Sequence, residues 1–245
     1  MMRTFRCDLH IHTCLSPCAD LDMYPRALVK MSLAAKLVVI AICDHNASEN
    51  VRYVLKAAEG KPIRVLPGME ITSSEEVHLL ALFDNTDALS ILQDVVYGHL
   101  PGLNNEAVFG CQAIVNDRDE VEGFNERLLI GATVLPLQDI IDRIHSLGGL
   151  AIASHIDRES FSVLGQLGFI DEGMHFDALE VSCTIGIEKA RSRYPDLASY
   201  PMIASSDAHF IQDIGRGSTR IRLGEGTVAE LKMAFQRRDG RCIME

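Results

Sequence analysis

Residues 5–20 read FRCDLHIHTCLSPCAD. The first eight, Phe5 to His12, have the apolar density of a strand buried in a sheet, yet they carry Asp8, His10 and His12. Side chains in a strand alternate between faces, so His10 and His12 point the same way with one apolar residue between them. Two imidazoles aimed at one point need partners, and those must come from elsewhere in the chain.

Working outward, the same texture recurs. Further strands are expected at LVVIAIC (37–43), IRVLPGMEI (63–71), VHLLALF (77–83), LAIASHI (150–156), ALEVSC (178–183), PMIASSDA (201–208) and TRIRL (219–223). Helical spacing is expected over 24–36, 48–59, 86–97, 137–147, 160–167, 186–193 and 227–238. Val-, Ile- and Leu-rich runs without polar alternation suit strands covered on both faces of a parallel sheet. Strands alternating with helices define an α/β class, open or closed into a barrel. Residues 98–135 break the rhythm. There, NDRDE (116–120) reads as a turn between two extended segments, which makes this region a β-hairpin insertion at the rim of the fold. No repeat or linker divides the chain, so residues 1–245 are expected to form a single domain.

Composition narrows the class. The chain is 47% hydrophobic and 23% charged, ordinary for a globular domain, with a formal net charge of −11. Clusters of Lys and Arg that would track a long nucleic-acid backbone are missing. No apolar run approaches the roughly 18–20 residues of a membrane span, and no export signal is recognisable near Met1. The seven cysteines are an odd, scattered set that suits reduced thiols, so a cytoplasmic location is expected.

The polar residues on the apolar runs share one edge. His12, His45, His155 and His209 each end a run, Glu70 lies near the end of IRVLPGMEI, His78 opens VHLLALF, and Asp207 closes PMIASSDA. In parallel α/β folds the C-terminal edge of the strands is where active sites assemble. A single histidine there is usually a satisfied core or rim residue, but six with Glu70 and Asp207 form a ligand set. Neutral imidazoles mixed with carboxylates suit Zn, Mn or Fe, whereas an all-oxygen site would suit Mg or Ca. His99, His145 and His175 fall away from this edge and read as surface residues.

The motifs DLHIHT, CDHN, GMEIT, HLLALF, SHID and SSDAH, in that order, resemble the PHP (polymerase and histidinol phosphatase) superfamily from about residue 5 to residue 224. The resemblance implies a distorted (β/α)7 barrel and a two- or three-metal centre that cleaves phosphate esters. It implies a first site of His10, His12, Glu70 and Asp207, and a second of Glu70, His78 and His155 with Glu70 bridging. His45 and His209 resemble two ligands of the third. The family's remaining third-site ligand is the Asp of an SDG motif, and this chain has LSPCADLDMYP instead. Counting back from Pro25 places Asp20 there; Asp22 is the rival, and Cys18 is a further donor in the same stretch. Asp8 and Asp44 resemble residues that orient ligand imidazoles through hydrogen bonds.

Cations a few ångströms apart would lower the pKa of a bridging water toward about 7, giving a metal-bridging hydroxide as nucleophile. Asp207 or His209 is expected to relay a proton, and Arg158 and Arg216 to clamp phosphate oxygens with their planar forks. The expected substrate is a small phosphorylated metabolite or nucleotide. A nuclease or cyclic-nucleotide phosphodiesterase acting on short oligonucleotides, and a catalytically silent metal-binding module serving a partner protein, are the alternatives.

Overall fold

The computed structural model describes residues 1–171 and 173–244. The elements run β1 (Arg3–Ile11), α1 (Pro25–Ala34), β2 (Val39–Ile42), α2 (Val51–Ala58), β3 (Arg64–Thr72), β4 (His78–Leu82) and α3 (Thr86–Gly98). The insertion follows, with α4 (Glu106–Phe109), β5 (Ala113–Val115) and β6 (Val121–Phe124). The chain then returns to the main body through α5 (Leu137–Ser146), β7 (Leu150–Ala153), α6 (Val163–Leu167), β8 (Ala178–Ser182), α7 (Ile187–Arg193), β9 (Met202–Ser205), β10 (Thr219–Leu223), α8 (Val228–Phe235) and β11 (Cys242–Ile243). Among the described residues no helix is long and apolar enough to cross a membrane.

The main sheet has nine strands in the order β11-β10-β1-β2-β3-β4-β7-β8-β9. It curls until the β9 edge comes back to β1. Ile11, at the end of β1, forms a parallel bridge with Ala208, just beyond β9, and the His12 amide donates to the Ala208 carbonyl at 3.0 Å. The result is a nearly closed α/β barrel of the expected distorted kind. Two apolar layers hold it. One fills the interior, with Cys7, Leu9, Val39, Ala41, Leu66, Leu80, Ile152, Ala178 and Ile203. The other lies between the outer sheet face and the helices, with Ile40, Ile42, Met69, Ile71, Leu79 and Ala153 packed on Leu28, Val54, Leu92 and Ile141. Burying both strand faces is the reason the sequence reads as apolar runs rather than alternation.

Three departures from the expected barrel shape its polar edge. First, β4 is not parallel: it pairs antiparallel with both β3 and β7. The turn Ser73–Val77 between β3 and β4 is too short for a crossover, so β4 must reverse. Its start therefore lies at the edge where its neighbours end, which brings His78 level with the other polar residues. Second, the register of β1 on β2 shifts between Asp8 and Ile11. Such a bulge inserts one extra residue and re-aims side chains. Strict alternation would put His10 and His12 on the face opposite Cys7 and Leu9; after the bulge, Ile11 packs outward and both histidines face the barrel interior. Third, the strands expected to run to 156 and 208 stop at Ala153 and Ser205. His155 and Asp207 adopt φ of 27° and 49°, outside the extended region.

The 98–135 insertion is the expected hairpin: β5 and β6 pair antiparallel across the 116–120 turn. It rests on the loop after β1. The Ala113 amide donates to the Cys14 carbonyl, and the Asn50 side chain brackets β5 by donating to the Ala113 carbonyl and accepting from the Val115 amide. Gly110, at φ 97°, sits so close that a Cβ there would lie 2.6 Å from the Pro17 carbonyl oxygen.

Asp8 holds the end of the barrel together. Fully buried, it accepts from the amides of Ser206 and Gly215, each at 2.9 Å, and so ties the segment carrying Asp207 to β1. It contacts no imidazole, so its expected role in orienting a ligand is corrected. Asp8→Ala would strand two buried N–H groups, and urea unfolding of the metal-free protein should show a loss of about 2–4 kcal/mol.

Candidate metal centre

Six imidazoles and two carboxylates meet at the C-terminal edge of the barrel. His10 and His12 come from the end of β1, His45 follows β2, Glu70 lies in β3, His78 opens the reversed β4, His155 follows β7, and Asp207 and His209 follow β9. Every expected ligand except Asp20 joins a group whose donor atoms lie close together. Glu70 is 1% exposed, His10 and His12 0%, so these groups must be satisfied by one another or by a ligand.

The tautomers follow from the outer contacts. His10 Nδ1–H donates to Glu180 Oε2 at 2.9 Å, which leaves its Nε2 bare. Ser16 spends its hydroxyl hydrogen on Asp44 Oδ1 at 2.7 Å, so at 2.9 Å its oxygen can only accept from His12 Nδ1–H. The Nε2 of His12 is therefore bare as well. The two Nε2 atoms stand 3.1 Å apart, an arrangement that asks for a cation. Asp207 Oδ1 lies 3.1 Å from His12 Nε2 and 3.3 Å from His10 Nε2, and the Glu70 oxygens lie 3.4 Å from each. A tetrahedral ion with bonds of about 2.0–2.1 Å separates its ligands by about 3.3 Å, so these spacings would accommodate a metal ion.

Glu70 extends the cluster. Its Oε1 lies 3.1 Å from His78 Nδ1 and 3.4 Å from His155 Nε2, and its Oε2 lies 3.1 Å from His45 Nδ1. A second group is thus His45, Glu70 and His78, with His155 beside it, and a third is His12, His45 and His209. His45, assigned by resemblance to the third group alone, borders both. His209 Nδ1–H donates to the Asp207 carbonyl at 2.9 Å, leaving Nε2 free.

The electrostatics favour cations. Burial alone would lower the pKa of His10, but the Glu180, Glu70 and Asp207 carboxylates outweigh it and raise it well above the usual value. Burial and the neighbouring His209 push His12 down to about 3, and burial also holds His45 well below its ordinary value. Burial would raise the carboxyls of Glu70 and Asp207, yet the surrounding histidines keep both well below the usual range. Neutral His12 and His45 beside ionised carboxylates are in the state that metal ligation requires, and the proton that the carboxylates favour on His10 is the charge a bound cation would displace.

The remaining expected residues divide. Arg158 is at the centre: its half-exposed guanidinium meets Asp207 Oδ2 at 2.5 Å. Arg216 is exposed and pairs with Asp213 at 2.6 Å, outside the cluster. Asp20 is tied to His209 by its backbone, the Asp20 amide donating to the His209 carbonyl at 2.8 Å, while its exposed carboxylate accepts from the Asp22 amide. Cys18 borders the same opening; its crowded surroundings and the Glu70 and Asp207 charges push the thiol up to about 12. Asp44 does act on a ligand, through Ser16.

Three residues escaped the sequence reading. Glu180 supports His10 from ALEVSC, a strand with no histidine to mark it. Ser16 is the relay to His12. Asn46, in CDHN, donates to the Leu129 and Gly131 carbonyls, accepts from the Thr72 amide, and its own amide donates to the Glu70 carbonyl, so it joins the insertion to the site. A buried acid on a strand adjoining a ligand strand was the available signal for Glu180.

Comparisons with known proteins agree with this architecture. A family model described as PHP-associated matches residues 189–239. No curated protein matches at the sequence level. Among solved structures, a lesion-specific endonuclease from Pyrococcus furiosus superposes with a TM-score of 0.75 at 17% identity, over 99% of this chain and 58% of that one. A protein assigned as a metal-dependent phosphoesterase from Bifidobacterium adolescentis gives 0.55 at 20% identity, over 83% and 87% of the two chains. An amidohydrolase from Chromobacterium violaceum, solved with bound sulfate and no metal, gives 0.59 at 18%, over 85% and 89%. This chain therefore shares the fold of these proteins, one assigned as a metal-dependent phosphoesterase among them, and its buried His, Glu and Asp clusters could hold metal ions. It spans 58% of the length of the Pyrococcus endonuclease.

Metal retention reports the centre directly. Glu70→Gln should strip bound metal, and Glu180→Gln should weaken it by about 10- to 100-fold, the usual cost of losing a carboxylate behind a ligand histidine. His145→Gln, on α5 and paired with Asp177, should retain it. Elemental analysis after dialysis makes the comparison, and equal behaviour of all three would place the centre elsewhere.

Proposed function

We propose that the chain is a metal-dependent phosphoesterase that hydrolyses a small phosphorylated metabolite or a nucleotide, with two or three ions of Zn, Mn or Fe. The observation that carries this reading is the packing of the His10 and His12 Nε2 atoms against Asp207 Oδ1 and the two Glu70 oxygens at 3.1–3.4 Å, with both imidazoles oriented from behind. His10, His12, Glu70 and Asp207 would hold the first ion, Glu70, His78 and His155 the second, and His45, His209 and Asp20 the third. When bound, such ions supply Lewis acidity and a nucleophile at neutral pH.

The chain's own residues do the rest. Arg158 presents its fork beside Asp207 and binds a phosphate oxygen of the substrate. Arg216, committed to Asp213, is left with a structural or outer role. Of the two groups expected to move a proton, Asp207 has one oxygen on the imidazoles and the other on Arg158. His209 is partly exposed and has one ring nitrogen left, Nε2, which serves either as a ligand of the third ion or, once protonated, as the acid for the leaving oxygen, not as both. The backbones of His155 and Asp207, both at positive φ, hold their side chains in place at some cost in strain, as is common where geometry serves chemistry.

A second reading, a nuclease on short oligonucleotides, is favoured by the Pyrococcus endonuclease among the structural neighbours and by another structure of an endonuclease Q bound to a 27-mer duplex with an abasic lesion (TM-score 0.74, 17% identity, 99% of this chain, 59% of that one). The net charge of −11 weighs against long polymers. Two measurements test the proposal. Purified protein should carry at least two transition-metal ions per chain, and the metal-loaded protein should release phosphate from sugar phosphates, nucleotides or oligonucleotides. Fewer than one ion after reconstitution would remove the metal reading, and full occupancy without turnover would leave a silent module.

The third site has its own test. Asp20→Asn should keep roughly two ions yet fall about 10- to 1000-fold in turnover, the range of one electrostatic stabiliser. Asp22→Asn should stay near the wild type; the reverse order would reassign the ligand.

A further inference from the structure

The loop between β7 and α6 carries three residues with side chains at the mouth. His155 reaches Glu70 and Arg158 reaches Asp207. The third, Phe161, has no part in holding metal or phosphate. Its φ is 58°, an outlier for a bulky residue, since a side chain this size crowds its own carbonyl there. Its ring lies 4.7 Å from the His78 imidazole with the planes 23° apart, and yet the residue is 41% exposed.

The conformation is built, not incidental. The Phe161 carbonyl accepts from the His78 amide at 2.9 Å. The next residue, Ser162, caps α6 by accepting from the Gly165 amide at 2.9 Å and donates its hydroxyl hydrogen to the Arg158 carbonyl at 2.6 Å. Gly165 packs so tightly below that a Cβ would stand 2.3 Å from the Glu159 carbonyl oxygen. A loop fixed on both sides therefore holds a large apolar ring beside a candidate ligand, with much of it open to solvent. A ring needed only to cover His78 would gain by burying itself.

We infer that Phe161 is a stacking platform for a planar nucleobase, so that the substrates of this centre are nucleoside phosphates or short single strands. This rests on the phosphoesterase reading and narrows its substrate: the phosphate is held by Arg158 and the cluster, and the base lies on the ring three residues further along the same loop. Base–aromatic stacking tolerates every base because each has a π-face, which gives class selectivity without base identity.

The chain contains no tryptophan, so Phe161→Trp places a single tryptophan at the platform, excited apart from the five tyrosines at the red edge of its absorption. In the metal-loaded variant, adenosine 5′-monophosphate and a 5′-phosphorylated dinucleotide should quench it saturably, and glycerol 2-phosphate should not. Tighter binding of the dinucleotide would identify strands as the source of the base, tighter binding of the monophosphate free nucleotides. In Phe161→Leu, which keeps apolar cover over His78, KM for adenosine monophosphate should rise about 10-fold relative to that for glycerol phosphate, with kcat for the nucleotide nearly constant. Absence of quenching by either base-bearing ligand, or an equal KM change for both substrates in Phe161→Leu, overturns the inference. If no ester is cleaved at all, the phosphoesterase reading fails, and the titration still decides whether a base stacks.

Discussion

The carboxylate of Glu70 sits between five imidazoles: Oε1 within 3.1–3.4 Å of His10, His78 and His155, Oε2 within 3.1–3.4 Å of His12 and His45. One buried anion can be tolerated only where donors or cations surround it. That requirement organises the upper edge of the barrel. β4 runs backwards and brings His78 to the same height. β1 carries a bulge that turns His10 and His12 inward. The chain bends sharply at His155 and Asp207. Each departure from an ideal parallel barrel serves the same carboxylate.

Support for the ligands is uneven, and the unevenness is chemical. His10 has a full carboxylate, Glu180, directly on its Nδ1. His12 has a serine hydroxyl relaying the charge of Asp44. An imidazole backed by an anion is the more basic ligand, so the two histidines of one H-x-H motif are not equivalent donors. The acidic balance of the chain acquires a local meaning as well. Asp8, Asp44, Glu70 and Glu180 are all buried around this end of the barrel, so part of the net charge faces the site rather than solvent.

Much of the barrel and its centre was legible in the residues. Double-sided burial marked the strands, and TRIRL was located to the residue. The position of histidines and acids at strand ends marked the site before any distance was known. What stayed hidden depended on three-dimensional register. Nothing in VHLLALF says that it runs antiparallel; only the shortness of the preceding turn does. The β1 bulge cannot be read from DLHIHT, so Asp8 was grouped with the imidazoles when its oxygens serve the Ser206 and Gly215 amides. Glu180 stands alone in an apolar strand, and Ser16 is one hydroxyl among many. Arg216 matched the expected type of residue but was drawn to Asp213, its neighbour three positions earlier.

The seam at Ile11 and Ala208 has a consequence for the order of events during synthesis. His12 and Asp207, now 3.1 Å apart, are separated by 195 positions along the chain. Contacts so distant in sequence are slow to form, because a long loop must close before any reward is gained. His10, His12, His45, Glu70 and His78 leave the ribosome first, with neither Asp207 nor Glu180 to complete or brace them. Until these arrive the nascent chain would hold only the imidazole-rich part of the donor set. Any ion held here would gain its full set of donors only with the last third of the polypeptide, whose arrival seals the barrel.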